Sequence, residues 1–148
     1  MSGDRRVAVV VSQFNRSVTD RLLAGACEAA AERGLTLGDE DIFPVPGAFE
    51  LAIVAGRLAD TGRYEAVVCL GAVIRGETPH FDYVCEQAAA GIQRVALDSR
   101  IPVAFGVLTT DTVEQALARA GGDVGNKGYE AVVTVLETLA QLDRIART

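Results

Sequence analysis

The sequence predicts an α/β protein: a single three-layer α/β/α sandwich built on a four-stranded parallel sheet. Three observations predict it. Val7-Ala8-Val9-Val10-Val11 and Ala66-Val67-Val68-Cys69-Leu70 are apolar runs without alternation, as strands covered on both faces require. Segments with apolar residues at helical spacing stand between the strand candidates. The resulting order, β-α-β-α-β-α-β-α-α, implies parallel pairing through right-handed crossovers. The chain has 148 residues, which suits one domain over 1–148.

Each element carries its own signal. The first strand covers 7–11, and a polar loop over 12–17 holds one aromatic, Phe14. The spacing of Leu22, Leu23, Ala26, Ala29 and Ala30 predicts a helix over 19–33, with Asp20 in its first turn and Gly34 as its stop. A short strand is expected over 41–45, weakened by Pro44. Pro46-Gly47 marks a turn into a second helix over 48–60. The second strong strand runs over 64–74. Thr78 suits an N-cap and Pro79 a first helical residue, so a third helix is expected over 79–97. Its apolar stripe is Phe81, Val84, Cys85, Ala88, Ile92 and Val95. The last strand covers 102–108, and Thr110 or Asp111 caps a short helix ending near Ala120. The glycines of 121–125 break the chain. Asn126 then caps a final helix with Val132, Val135, Leu136, Leu139 and Leu142 on one face.

Composition narrows the function classes. Apolar residues make up 49% and charged residues 23%, a balance that excludes intrinsic disorder. The net charge of −6 argues against a phosphate-backbone binder, so no nucleic-acid partner is expected. No apolar run approaches the ~18 residues of a membrane span. The first strand follows almost at once on residues 1–6, without the long apolar segment or cleavage site of a secretory signal. No membrane association and a cytoplasmic location are therefore the expectations. Cys27, Cys69 and Cys85 are odd in number, widely spaced and set in apolar stretches. They read as small core residues in a reducing compartment, not as a disulfide or zinc set. There is one histidine, His80, and one lysine, Lys127, against thirteen arginines, so each is testable by a single substitution.

Parallel sheets of this kind bind ligands beyond the carboxyl ends of their strands. The segments to inspect are thus 12–17, 45–50, 71–80 and 106–111. Phe14 reads either as a core residue or as a flat ring placed to stack on a planar heterocycle. Asn15 tolerates unusual backbone angles or binds a ligand. Gly47, Ala48, Phe49 and Glu50 form either an ordinary βα turn with a helix-start carboxylate or a place where a polyol or uracil-like edge meets free amides. Residues 71–80 are the most informative. A glycine-containing loop entering a helix brings amides, dipole and the Thr78 hydroxyl to one point, a ready anion site. G-x-G-x-x-G and G-K-[ST] are both absent, which excludes a dinucleotide fingerprint and a Walker loop. His80, just beyond that point, is the candidate proton carrier. A lone histidine without partners at ligand spacing argues against a metal. Arg119 falls on the short helix. Lys127 opens the last helix, where a cation opposes the dipole and needs another partner.

Together these segments resemble the 6,7-dimethyl-8-ribityllumazine synthase family, from Val7 to about Leu142. The resemblance rests on Phe14-Asn15, Val45-Pro46-Gly47-Ala48-Phe49-Glu50, and Gly71-Ala72-Val73-Ile74-Arg75-Gly76-Glu77-Thr78-Pro79-His80-Phe81-Asp82-Tyr83-Val84. It also rests on Phe105-Gly106-Val107-Leu108-Thr109 and Gly125-Asn126-Lys127-Gly128. Their order and spacing carry it, not any one tetrapeptide.

The resemblance implies a transferase of riboflavin biosynthesis. It condenses 5-amino-6-(D-ribitylamino)uracil with 3,4-dihydroxy-2-butanone 4-phosphate to give 6,7-dimethyl-8-ribityllumazine, phosphate and water, with no metal and no organic cofactor. By resemblance, Phe14 stacks on the pyrimidine, while Asn15, Gly47, Ala48, Phe49 and Glu50 line the ring and ribityl chain. Ala72, Val73 and Ile74 bind the pyrimidine edge through their backbone. Gly76, Glu77, Thr78 and Arg119 bind the phosphate, and His80 moves protons. Phe105, Arg119 and Lys127 come from a neighbouring subunit of a homopentamer. The insertion-free stretch over 120–127 resembles members in which twelve pentamers close an icosahedral shell. Gln13 stands where many relatives carry Arg, and only residues 1–6 precede the first strand where many relatives have a longer arm. The architecture is flavodoxin-like, and a flavin- or nucleotide-binding module without activity is the rival reading.

Overall fold

The computed structural model describes residues 5–148. Its strands β1 (Val7–Ser12), β2 (Ile42–Val45), β3 (Ala66–Ile74) and β4 (Val103–Thr110) form one parallel sheet in the order β2-β1-β3-β4. Helices α1 (Arg16–Glu32), α2 (Leu51–Asp60), α3 (His80–Ser99), α4 (Val113–Ala118) and α5 (Lys127–Ala146) surround it. Both faces of the two central strands are covered, which is why β1 and β3 are almost wholly apolar. Val7, Val9, Val11, Val68 and Leu70 pack with Leu22 and Ala26 of α1 and Val132 and Val135 of α5. Ala8, Val10, Val67 and Cys69 point the other way, against Leu51 and Ala55 of α2 and Ala88 and Ile92 of α3. This is the expected α/β/α arrangement with its four parallel strands.

The chain passes from β1 outward to β2, then crosses back to β3 on the other side of β1. The connections therefore diverge between β1 and β3, and a crevice opens beyond their carboxyl ends.

Several boundaries differ from the sequence pattern, each for a local reason. Helix α1 begins at Arg16, three residues early, because Asn15 adopts a left-handed conformation that turns the chain directly out of β1. Asp20 consequently lies beyond the first turn. At the other end, the Leu35 amide donates to the Ala30 carbonyl at 2.9 Å and the Gly34 amide to Ala31 at 3.4 Å. With Gly34 at φ 72, this is the left-handed glycine stop the sequence predicts. The expected second helix divides into a 3-10 turn, Ala48–Glu50, and α2. Pro79 is the cap of α3 and not its first residue, and the Thr78 hydroxyl lies a long 3.4 Å from the His80 amide. Of the stripe expected on α3, only Ala88 and Ile92 are fully buried. Thr112, not Thr110 or Asp111, caps α4: its hydroxyl accepts from the Gln115 amide at 3.1 Å.

The glycine-rich break after α4 is a two-stranded hairpin, β5 (Ala120–Gly122) with β6 (Gly125–Asn126). Gly121 and Gly125 make its turn possible at φ 102 and 105. Asn126 caps α5 as expected, accepting from the Gly128 and Tyr129 amides at 2.8 and 3.0 Å. Of the cysteines, Cys69 is buried as the sequence suggests, while Cys27 and Cys85 are only half-buried. Burial pushes the Cys69 thiol up to about 12. Part of the short leading arm, residues 1–4, lies outside the described residues. Arg5, the next residue, pairs with Asp143 of α5 at 2.7 Å. Among the described residues no helix is long and apolar enough to cross a membrane.

Candidate active site

The crevice between β1 and β3 is built by backbone pairing that outruns the strands. The Gln13 amide donates to the Val45 carbonyl at 2.8 Å, and the Phe14 amide to Pro46 at 3.0 Å. Phe14 is thereby pinned beside the 46–50 turn with 72% of its surface exposed, so its ring belongs to the crevice and not to the core. Asn15 serves the scaffold. Its carbonyl accepts from the Val18 and Thr19 amides, and its Nδ2 donates across the crevice floor to the Ala72 carbonyl at 2.8 Å.

Glu50 closes the turn after β2. Its Oε1 accepts from the Gly47 amide at 2.9 Å, while its own amide donates to the Gly47 carbonyl at 3.1 Å. The Ala48 and Phe49 amides have no partner among the described residues. After β3, the Arg75 amide donates to the Thr110 carbonyl at 2.9 Å, the last rung between those strands. The amides of Gly76, Glu77 and Thr78 then donate to nothing among the described residues. They precede the amino end of a 20-residue helix, whose dipole favours negative charge there. His80 is the exposed first residue of that helix.

These parts enclose a cavity of about 720 Å³, within the ~300–1,000 Å³ usual for small-molecule sites. Phe14 lines one wall. Gly47, Ala48, Phe49 and Glu50 line the turn beside it. Ala72, Val73 and Ile74 line the floor, and Gly76, Thr78 and His80 the far end. Eleven of the site residues expected from sequence therefore share one cavity.

A family model described as 6,7-dimethyl-8-ribityllumazine synthase matches residues 4–143. The chain belongs to the 6,7-dimethyl-8-ribityllumazine synthase family. It is a transferase of riboflavin biosynthesis, joining 5-amino-6-(D-ribitylamino)uracil to 3,4-dihydroxy-2-butanone 4-phosphate. Small molecules are its substrates.

Five residues singled out through resemblance to this family do not line the cavity. Asn15 lies behind it, tied to Ala72, and Glu77 is exposed outside it. Phe105 sits on the edge strand β4, with 38% of its surface exposed. Arg119 comes just after α4 and Lys127 opens α5, and the Lys127 amide donates to the Arg119 carbonyl at 2.9 Å. The hairpin thus brings the backbones of the two residues together, and among the described residues neither side chain is in an ion pair.

The placement of Lys127 is fixed by the residues on either side of it. A Cβ on Gly128 would lie 2.0 Å from the Leu22 carbonyl oxygen, so α5 starts in direct backbone contact with α1. Asn126 Nδ2 donates to the Arg21 carbonyl at 3.1 Å, locking the same junction.

Pro46, Phe81, Tyr83 and Val84 also line the cavity, and sequence reasoning did not assign them to it. Phe81 and Val84 fit the core stripe of α3 by spacing; Val84 does pack against the core, whereas Phe81 is half-buried beneath the Arg75 guanidinium. Tyr83 is 66% exposed at the rim and carried no periodic signal. Among the described residues no three His, Cys, Asp or Glu side chains come together as a metal site.

Proposed function

We propose that the cavity is the condensation site and that its two ends divide the substrates. The observation that carries this is the union, in one crevice, of the Phe14 ring, the unpaired amides of Ala48, Phe49, Gly76 and Thr78, and His80. The uracil stacks on Phe14, with its edge against Ala72, Val73 and Ile74 and its ribityl chain along Gly47–Glu50. The butanone phosphate places its anion on the Gly76–Thr78 amides at the start of α3. The pyrimidine amine then meets the ketone carbon beside His80.

Addition needs a proton taken from the amine and given to the carbonyl oxygen, which one imidazole performs in turn as base and acid. Loss of water gives the imine, and a second proton transfer accompanies expulsion of phosphate. The ribityl-bearing nitrogen closes the ring with loss of water. Holding both substrates together supplies much of the remaining acceleration, and fixed amides stabilise the departing phosphate.

Phe105, Arg119 and Lys127 complete the site from the next subunit of a homopentamer. Their absence from the lining of the chain's own cavity, and the lack of ion pairs at the two cations among the described residues, support this reading. So do exposed apolar side chains such as Phe49, Ile53 and Leu97, at 60, 63 and 67% of their surface. The reading extends to one domain over 1–148, a cytoplasmic location, and a shell of twelve pentamers, supported by the short hairpin over 120–126.

The site assignment is tested with His80→Ala. At saturating substrates it slows lumazine formation on the order of a hundredfold while both KM values stay near wild type. Unchanged turnover would remove His80 from the proton transfers.

A further inference from the structure

We propose that Arg75 is a positioning residue that sets the shape of the anion loop, resting on the reading of residues 76–78 as the phosphate site. The loop has little structure of its own. The amides of Gly76, Glu77 and Thr78 are unpaired among the described residues, which leaves them free for an anion but also free to move. Ordering such a segment on binding costs conformational entropy, and prior order removes that cost.

The Arg75 side chain supplies that order from outside the cavity. Its Nε donates to Asp111 Oδ1 at 2.8 Å, its Nη1 lies 3.6 Å from Asp82 Oδ1, and its guanidinium carbon stands 4.3 Å from the centre of the Phe81 ring. Arg75 comes directly after β3, Asp111 directly after β4, and Phe81 and Asp82 lie in the first turn of α3. One planar group therefore braces both ends of the loop against the neighbouring strand. Asp111 is anchored in turn, since its amide donates to Gln115 Oε1 at 2.8 Å in the first turn of α4.

Two carboxylates engage the guanidinium and a ring covers its face, so Arg75 is not itself the phosphate ligand. Stacking and forked donation together need arginine. A lysine ammonium keeps the charge but has no planar face. Each contact is weak where solvent reaches it, and the effect comes from three contacts acting on one short segment.

The test compares Arg75→Ala, Arg75→Lys and Asp111→Asn with Arg94→Ala, which breaks an exposed pair farther along α3. The readouts are KM for each substrate, inhibition by inorganic phosphate, circular dichroism and sedimentation. Arg75→Ala raises KM for the butanone phosphate and the inhibition constant of inorganic phosphate about tenfold, with KM for the uracil changed less than about twofold. Asp111→Asn gives a smaller rise of the same kind, Arg75→Lys restores only part of the loss, and Arg94→Ala changes neither constant. An equal effect on both substrates, no effect, or loss of fold or assembly in both Arg75→Ala and Asp111→Asn overturns the positioning role. If wild-type protein forms lumazine but inorganic phosphate does not inhibit it, the phosphate assignment of residues 76–78 falls first, and this role with it.

Discussion

Asn15 holds a left-handed backbone, φ 66 and ψ 48, while its side chain donates to the Ala72 carbonyl at 2.8 Å. Two separable terms meet there. A non-glycine residue without a helpful side chain loses about 1 kcal/mol or more in that conformation, and the hydrogen bond contributes about 1 kcal/mol. Asn15→Ala should therefore lose about 2 kcal/mol and Asn15→Gly about half of that, since glycine keeps the conformational freedom. Urea midpoints at unchanged m-value measure both. Equal losses would show that backbone conformation is not what asparagine supplies. From sequence, Asn15 could be read only as tolerant of odd angles or as a ligand contact. Its partner lies 57 residues away, and no local pattern reports such a bond. Phe14 was ambiguous for the same reason: its exposure depends on two amide bonds to the chain beyond β2.

At the scale of elements, the amino ends of the strands are clamped by a buried carboxylate. A 3-10 turn over Asp39–Asp41 delivers Asp41 into the core side of β2. Asp41 accepts from the Gly38 amide at 2.9 Å and the Tyr64 hydroxyl at 2.8 Å, and it pairs with Arg6. Burial opposes the charged form, but these three partners outweigh it and hold the Asp41 carboxyl below its ordinary value of 3.8. A carboxyl more acidic folded than unfolded stabilises the fold above the unfolded value, and that stability is lost as pH falls through the folded one. The wild type should therefore lose stability below about pH 4. Asp41→Asn should be weaker by about 2–3 kcal/mol at pH 7 and flatter below pH 4. Parallel urea-midpoint profiles from pH 7 to 2 would exclude Asp41 as the titrating group. The strands were legible because buried runs need no alternation, and α5 because Asn126 and its apolar face are local signals. The start of α1 and the cap of α4 were not, since a left-handed residue and a side-chain bond, not periodicity, decide them. The hairpin over 120–126 hid behind its glycines, which mark a break in the helices without specifying that the chain pairs with itself across it.

At the scale of the whole molecule, the residues read as the site divide unevenly, and Asn15 and Glu77 stand beside the cavity without lining it. Eleven converge on one cavity, which the rule of strand carboxyl ends anticipated. Phe105, Arg119 and Lys127 lie outside it, and one chain's periodicity and spacing hold no sign of which segments a neighbour contributes. The resemblance alone suggested it. The proposed sharing has a consequence that a self-contained site lacks. In the proposed ring, each site would take His80 from one chain and Arg119 from the next. His80→Ala disables the proton carrier, and Arg119→Ala weakens the phosphate substrate by about 1.5–3 kcal/mol, so each variant alone is slow at low butanone phosphate. Chains of both variants unfolded together and refolded in equal amounts distribute at random around the rings. In about a quarter of the sites an Arg119→Ala chain then supplies His80 and a His80→Ala chain supplies Arg119, which restores a wild-type site. Activity should rise toward a quarter of wild type, well above the mean of the two variants refolded separately. Were all the residues drawn from one chain, every site would carry one defect and the mean would be the ceiling. Activity at that mean, from refolded and fully assembled protein, would return Arg119 to its own chain and leave the apolar surface, not the chemistry, as the reason for assembly.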